Sequence, residues 1–304
     1  RNAFAALSRP RVFLAAIALA LPLNGVANYV LMFGMGPIPA MGLAGAGLAS
    51  ALVAWSLVGG FAIYCVLNRE MRDFNMFRRW WLIDRARLVE IFRFGFPIGL
   101  SSIGEVGVFL ISTVIISLFG TEALAAHAIT IRLAGVFYAV SIGLSQATTV
   151  RVGYAVGAKD NGAVREAIWT AMAAGLGSGL VLFAGIVGTA HAVPWLFLDA
   201  ASPATNAVAM NASGLLFLLG LMKIAQGFGT PATAVLRGFK DTRKPMVLCL
   251  TGYWLIGMPL AYLAGFPFGL GAEGVWIGLT AGVSVTAVLM SLRLAQRYAD
   301  EVGY

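Results

Sequence analysis

Charge is scarce in this chain, and acid scarcest: 13 Asp and Glu against 21 Lys and Arg in 304 residues, with only 11% of all positions charged. An ordinary soluble domain carries about a quarter charged residues, so a water-facing surface of normal polarity is excluded. There are only two cysteines and two histidines. Cys65 and Cys249 sit at no metal-binding spacing, and each falls near the inner end of an apolar stretch, which argues against a disulfide. Neither His127 nor His191 has a Ser, Cys or carboxylate at a spacing that suggests catalysis. No Gly-Lys-Ser phosphate loop occurs, so nucleotide hydrolysis is not expected. An initiator Met and a secretory leader are also missing, and the chain reads as a fragment. What remains is 60% hydrophobic with a mean hydropathy of +0.86, the composition of a membrane protein.

Eight long apolar stretches alternate with short connectors, at about 11–33, 43–67, 94–118, 124–147, 163–190, 206–234, 246–266 and 271–294, each near the roughly 20 residues that span a bilayer. All Lys and Arg except Arg132 and Lys223 lie in one alternate set of connectors and at the two ends. That asymmetry places the basic side, and the C-terminus with it, in the cytoplasm. The net charge of +8 therefore sets topology and meets anionic headgroups; it does not require nucleic acid. The longest polar connector contains Arg78-Arg79-Trp80-Trp81-Leu82-Ile83. It reads either as an amphipathic segment at the interface or as a basic linker with two aromatic anchors.

An internal repeat organises the spans. Arg9-Pro10 before the first resembles Lys244-Pro245 before the seventh, and Leu21-Pro22-Leu23 resembles Met258-Pro259-Leu260. Gly42-Leu43 with Gly47 resembles Gly269-Leu270 with Gly274. The first two spans thus look like a copy of the last two, separated by an even number of spans and so parallel in orientation. Parallel repeats with a substrate site between the halves are a transporter plan. The domains expected are 1–67, the last two helices of an N-terminal lobe; 68–93, a basic linker; and 94–304, a six-helix C-terminal lobe.

One ordered series of motifs runs Gly95-Phe96-Pro97-Ile98-Gly99-Leu100, Glu105, Ala125-Ala126-His127, Gly143-Leu144-Ser145-Gln146-Ala147 and Val150-Arg151-Val152-Gly153, then Gly157 and Asp160. A second runs Leu236-Arg237-Gly238-Phe239-Lys240-Asp241-Thr242-Arg243, Pro245, Gly271, Gly274-Val275-Trp276 and Gly278. Together they resemble the multidrug and toxic compound extrusion (MATE) family in its NorM-like branch, over essentially the whole chain. The resemblance implies an all-α polytopic fold of twelve helices in two lobes, of which this chain holds helices five to twelve. It implies export of amphipathic, often cationic drug-like compounds in exchange for H⁺ or Na⁺, by a bacterial inner-membrane monomer that needs no organic cofactor. A related lipid or lipid-linked-oligosaccharide flippase is the alternative, kept open by Arg132 and Lys223. An intramembrane enzyme would need clustered Asp, His or Arg at one membrane face, and the sequence shows none.

Polar groups in hydrocarbon are expensive and mark function. Glu105 is the one carboxylate well inside a span; a lone acid there can take a proton or bind Na⁺, and the resemblance places the family's cation-binding glutamate here. The plainer reading is a structural pair with Arg132 or Lys223. NorM-like relatives carry an aspartate eleven residues before the Arg of the Leu-Arg-Gly motif. This chain has Gln226 there, Met222 where an aromatic hydroxyl is expected, and Lys223 in between. Lys223 is expected either to act as a built-in counter-ion for Glu105, displacing Na⁺, or to snorkel or pair elsewhere. Arg132 either pairs with Glu105 or lines the cavity. Asn24 and Asn28, one turn apart beside Pro22, are by resemblance part of an N-lobe cation or proton network; by chemistry alone they are equally interhelical amide glue. Gly274, Gly278 and Gly282, and Gly95 with Gly99, form small-residue faces for close helix packing.

Overall fold

The computed structural model describes residues 10–68, 84–198 and 205–302; the Arg78–Ile83 stretch lies outside them. Among the described residues the chain is helical apart from short turns and one isolated bridge between Met35 and Ile38. Eight helices are long and apolar enough to cross a membrane, as the hydropathy predicts. Compactness divides the chain into two units, Arg1–Leu88 and Val89–Tyr304.

In the first unit α1 (Pro10–Phe33) and α2 (Gly42–Leu67) form an antiparallel hairpin. Pro10 opens α1, where a missing N–H costs nothing. Gly42 enters α2 at φ +55°, a left-handed conformation that a side chain strains. Gly45 lies so close to the Leu31 carbonyl that a Cβ there would collide with backbone. At the other end of the hairpin the Phe13 and Phe61 rings stack at 5.9 Å.

The second unit is built around α6 (Thr205–Gly238), which packs against α4 (Thr121–Gly157), α5 (Asn161–Thr189) and α8 (Gly271–Val302). Helix α3 (Arg85–Ser117) and helix α7 (Arg243–Gly265) complete the set. Half of the apolar window of α6, and half of that of α8, is buried, so these two helices carry the core; Leu215, Leu219, Leu236, Trp276 and Leu279 are sealed from the surface. The remaining helices are apolar on outward faces as well, the pattern of lipid contact. Glycines let α5 approach α6: a Cβ on Gly175 would lie 2.5 Å from the Gly227 carbonyl oxygen, and one on Gly227 would lie 2.8 Å from that of Gly175.

Helix α7 packs against α8 through the expected glycine stripe. A Cβ on Gly274 or Gly278 would strike α7 backbone at Ala264 or Ala261, and one on Gly282 would come within 2.8 Å of the Gly257 Cα. The repeat is visible in the geometry of each hairpin, in a register shifted by two residues from that read in the sequence. Left-handed Gly42 and Gly271 open α2 and α8, and the residues three positions on, Gly45 and Gly274, make the close approach. Gly47 does not; it faces open space. Gly95 and Gly99 likewise have nothing within 4 Å of an added Cβ, so the expected close packing at that pair is absent from the described residues.

Mid-way along α7, Thr251–Gly257 forms a π-helical turn. Pro259 follows directly, and its ring removes one backbone donor and crowds the carbonyl four residues back. A widened turn upstream of that proline fits the local strain. It carries Tyr253 inward and Trp254 against α3, where Trp254 Nε1 donates to the Gly104 carbonyl at 3.1 Å.

His127 has the structural role favoured by its sequence context. It is 1% exposed, and its Nδ1 accepts from Trp276 Nε1 at 3.1 Å. Indole nitrogen only donates, so the imidazole proton sits on Nε2, which donates to Thr113 Oγ1 at 2.8 Å; that hydroxyl donates to the Phe109 carbonyl. The chain of bonds ties α3, α4 and α8 together with each polar atom satisfied.

The ends of the helices are braced at the basic face. Lys159 and Lys240 adopt φ +56° and +58° and close α4 and α6 by bonds from Asp160 N to the Ala155 carbonyl and from Asp241 N to the Leu236 carbonyl. Asp160 then caps α5 by accepting from Ala163 N, and Asp241 binds Arg293 of α8 through both Nε and an Nη at 2.9 and 2.7 Å.

Candidate functional site

Five helices of the second unit enclose a polar cavity of about 130 Å³. Glu105 reaches it from α3, four residues beyond Ser101 on the same helix face. The α4 side is Tyr138, Ser145 and Gln146; the α6 side is Gln226, Thr230, Thr233 and Arg237; α7 adds Cys249 and Tyr253, and α8 adds Thr286. Tyr138 Oη approaches Glu105 Oε2 at 3.5 Å, a weak bond at best. The carboxylate is half-buried and makes no ion pair within 4.0 Å among the described residues.

The structure therefore separates residues that the sequence left as candidate partners. Glu105 and Gln226 share the cavity. Lys223 does not bridge to Glu105: its Nζ donates to Gln226 Oε1 at 2.9 Å, three residues along the same helix. It sits 2% exposed in a crevice among α4, α5 and α6 that Gln226 also borders. In place of the direct counter-ion contact the ammonium bonds an amide of its own helix, because an i, i+3 neighbour is nearer than a carboxylate on another helix. Snorkelling is excluded too, since the ammonium is fully enclosed.

Arg132 lies exposed on α4 and, among the described residues, forms no ion pair with Glu105 and does not line the Glu105 cavity, so its pairing with Glu105 is corrected. Met222, expected beside the cavity, is instead 1% exposed within the apolar core; its neighbour position on the helix points it about 100° away from Lys223. Asn24 and Asn28 are brought together, with Asn28 Nδ2 donating to the Asn24 carbonyl at 2.8 Å and to its Oδ1 at 2.9 Å. They belong to the first unit and are described there alone.

Sequence reading missed Arg237, Tyr138, Tyr253 and the two threonines of α6. A signal was present: Gln226, Thr230, Thr233 and Arg237 fall at i, i+4, i+7 and i+11, one polar stripe on an apolar helix. Tyr253 has no such signal, because its direction depends on the π-helical turn.

Chemically the cavity can hold several waters, since a water needs only about 10–15 Å³ of such space. It presents one acid, one guanidinium and many hydroxyls and amides. Among the described residues no group of three His, Cys, Asp or Glu could hold a metal ion. A carboxyl group in such surroundings is sufficient to accept and release a proton.

Comparison with known proteins fits this arrangement. The MatE family model matches residues 97–263, more than half of the chain and four of the five cavity helices in part or whole. Probable multidrug resistance proteins NorM of Brucella suis and Mesorhizobium japonicum are each 36% identical, over 299 and 297 residues, covering 98% of this chain and 64% of each relative. The chain thus spans under two thirds of the length of these curated relatives. Among solved structures, an outward-facing multidrug resistance MATE family transporter of the MOP superfamily superposes with a TM-score of 0.82 at 22% identity, covering 95% of this chain and 63% of that one. A eukaryotic MATE transporter gives 0.81 at 22% identity, over 95% and 64%. At that identity the superpositions speak for the fold, while the family model, the curated relatives and the motif order all converge: the chain belongs to the MatE family.

Proposed function

We propose that this chain is the greater part of a secondary-active exporter of amphipathic, often cationic drug-like compounds, working by alternating access in a bacterial inner membrane with its C-terminus cytoplasmic. Residues 1–67 would close the N-terminal lobe, 68–93 link the lobes and 94–304 form the C-terminal lobe. The relatives are named as probable multidrug resistance proteins, which supports drug-like compounds as the substrate class; their amphipathic, often cationic character and the lack of an organic cofactor follow from the motif resemblance. The observation that carries the reading is Glu105, a half-buried carboxylate mid-way along a membrane-length helix, facing a cavity lined with hydroxyls and amides and, among the described residues, in no ion pair.

The coupling ion of this lobe is H⁺. With Gln226 in place of a second acid and a buried ammonium bonded to that amide, the local charge opposes Na⁺, whereas protonation of Glu105 needs no cage. Asn24 and Asn28 would belong to the other lobe's ion network. Lys223, 2% exposed, is poorly placed to meet a phosphate, so the lipid or lipid-linked-oligosaccharide flippase alternative rests on the exposed Arg132.

The test is efflux of a fluorescent organic cation from proteoliposomes holding the full-length protein, driven by ΔpH alone and by a Na⁺ gradient alone. ΔpH should suffice, and Glu105→Gln should abolish drive while leaving the substrate bound at equilibrium. Undiminished efflux in Glu105→Gln overturns the coupling role; Na⁺-only drive that is lost in Glu105→Gln overturns the choice of proton.

A further inference from the structure

The cavity around Glu105 is longer than a binding site for one ion requires. Its α6 wall runs from Gln226 to Arg237, eleven residues or about 16 Å of helix rise. Its inner end reaches Thr242 and Pro245 on the turn into α7, beside the basic residues Lys240, Arg243 and Lys244. Hydroxyls and amides mark the way at every turn of α6, and α4 adds Ser145 and Gln146 at intermediate depth. Thr233 donates to the Gly229 carbonyl of its own helix and keeps its oxygen lone pairs toward the cavity. Nothing in apolar packing asks for such a stripe, because each polar group placed in hydrocarbon is costly without a partner.

We propose that protons pass between Glu105 and the basic face of the membrane through the interior of this helical unit, along the stripe Gln226, Thr230, Thr233 and Arg237. The inference rests on the reading of Glu105 as the coupling acid. On release, the O–H bond of the Glu105 carboxylic acid breaks and one forms on an adjoining water. Successive waters hand on one proton each, and a hydronium leaves at the inner mouth. The carboxyl goes from neutral to −1, one proton enters the basic compartment, and no electron moves. Arg237 stands at that mouth without an ion pair among the described residues. Its guanidinium favours the carboxylate left behind.

Two measurements on the full-length protein test this. Thr230→Val with Thr233→Val keeps the volume and removes both hydroxyls. It should slow ΔpH-driven efflux by about tenfold or more while equilibrium binding of the organic cation is unchanged, and Thr230→Ser with Thr233→Ser should restore the rate. A double-Val rate within about twofold of the parent overturns the conduit. The second measurement needs no transport. Cys249, 7% exposed, lines the cavity with its Sγ 4.0 Å from the Ser101 carbonyl, one turn of α3 nearer the basic face than Glu105, so if water fills the stripe a small hydrophilic thiol reagent should modify it from the basic face in a Cys65→Ser background. Modification from the opposite face only, or from neither, overturns the proposal even if Glu105→Gln has already established the coupling role. Conversely, modification from the basic face stands even if that role fails.

Discussion

Lys223 gives the sharpest means of testing why this lobe would refuse Na⁺. Its Nζ lies 2.9 Å from Gln226 Oε1, and both side chains are buried, at 2% and 8% exposure. Replacing Gln226 by Asp puts a carboxylate one methylene shorter beside the ammonium, at about 4 Å. At an effective dielectric of about 20 two unit charges there attract by about 4 kcal/mol, which corresponds to about a thousandfold in the affinity of a competing monovalent cation. Gln226→Asp alone should therefore form an internal ion pair and remain indifferent to Na⁺. Adding Lys223→Met frees that carboxylate, and efflux from proteoliposomes should become Na⁺-driven. Lys223→Met alone should leave the thermal midpoint in detergent unchanged or higher, because an apolar side chain of similar length replaces a buried charge whose one partner is a neutral amide. The reasoning fails if Gln226→Asp becomes Na⁺-driven by itself with an affinity equal to that of the double variant. It fails equally if the double variant binds substrate normally and shows no response to Na⁺.

Two further outcomes probe what holds the cavity in shape. Gly282→Ala puts a Cβ 2.8 Å from the Gly257 Cα, where carbon contacts need about 3.5–4.0 Å, so α7 and α8 must part; a loss of about 1–3 kcal/mol in reversible SDS unfolding is expected. Gly177→Ala, with nothing within 4 Å, serves as the neutral comparison, and equal stability of the two variants would refute the packing argument. Asp241→Asn leaves Arg293 without its ion partner at 14% side-chain exposure and should cost about 2–3 kcal/mol. Glu166→Gln, which breaks the exposed Arg151 pair, should cost under about 1 kcal/mol in the same assay.

Hydropathy marks where a bilayer would lie; helices do not stop there. The spans read at about 94–118, 124–147 and 271–294 are the apolar parts of helices that run over Arg85–Ser117, Thr121–Gly157 and Gly271–Val302. Arg, Leu, Glu and Ala continue a helix readily, and Asp84 starts α3 by accepting from the amides of Ala86 and Arg87. A polarity change therefore locates the interface, whereas a cap or a left-handed residue such as Lys159 locates the helix end.

Within the site, legibility followed the same logic. Glu105 was readable because a carboxylate in an apolar run has no inexpensive explanation, and its place in the cavity needs only the helix that carries it. The partnership of Lys223 was harder, because two options of similar chemistry differ only in whether the partner lies on the same helix or across a gap whose width the sequence does not encode. Gln226, at i+3, wins by proximity, and the geometry turns Met222 into the core at the same stroke. The pairing of Arg132 with Glu105 failed for a related reason: a charge in an apolar stretch announces cost, but which way its helix face turns depends on what packs beside it. The polar stripe of α6 lay in plain view at helical spacing. It goes unnoticed when periodicity is sought only in apolar residues, since in a membrane the apolar face is everywhere and the informative period belongs to the hydroxyls.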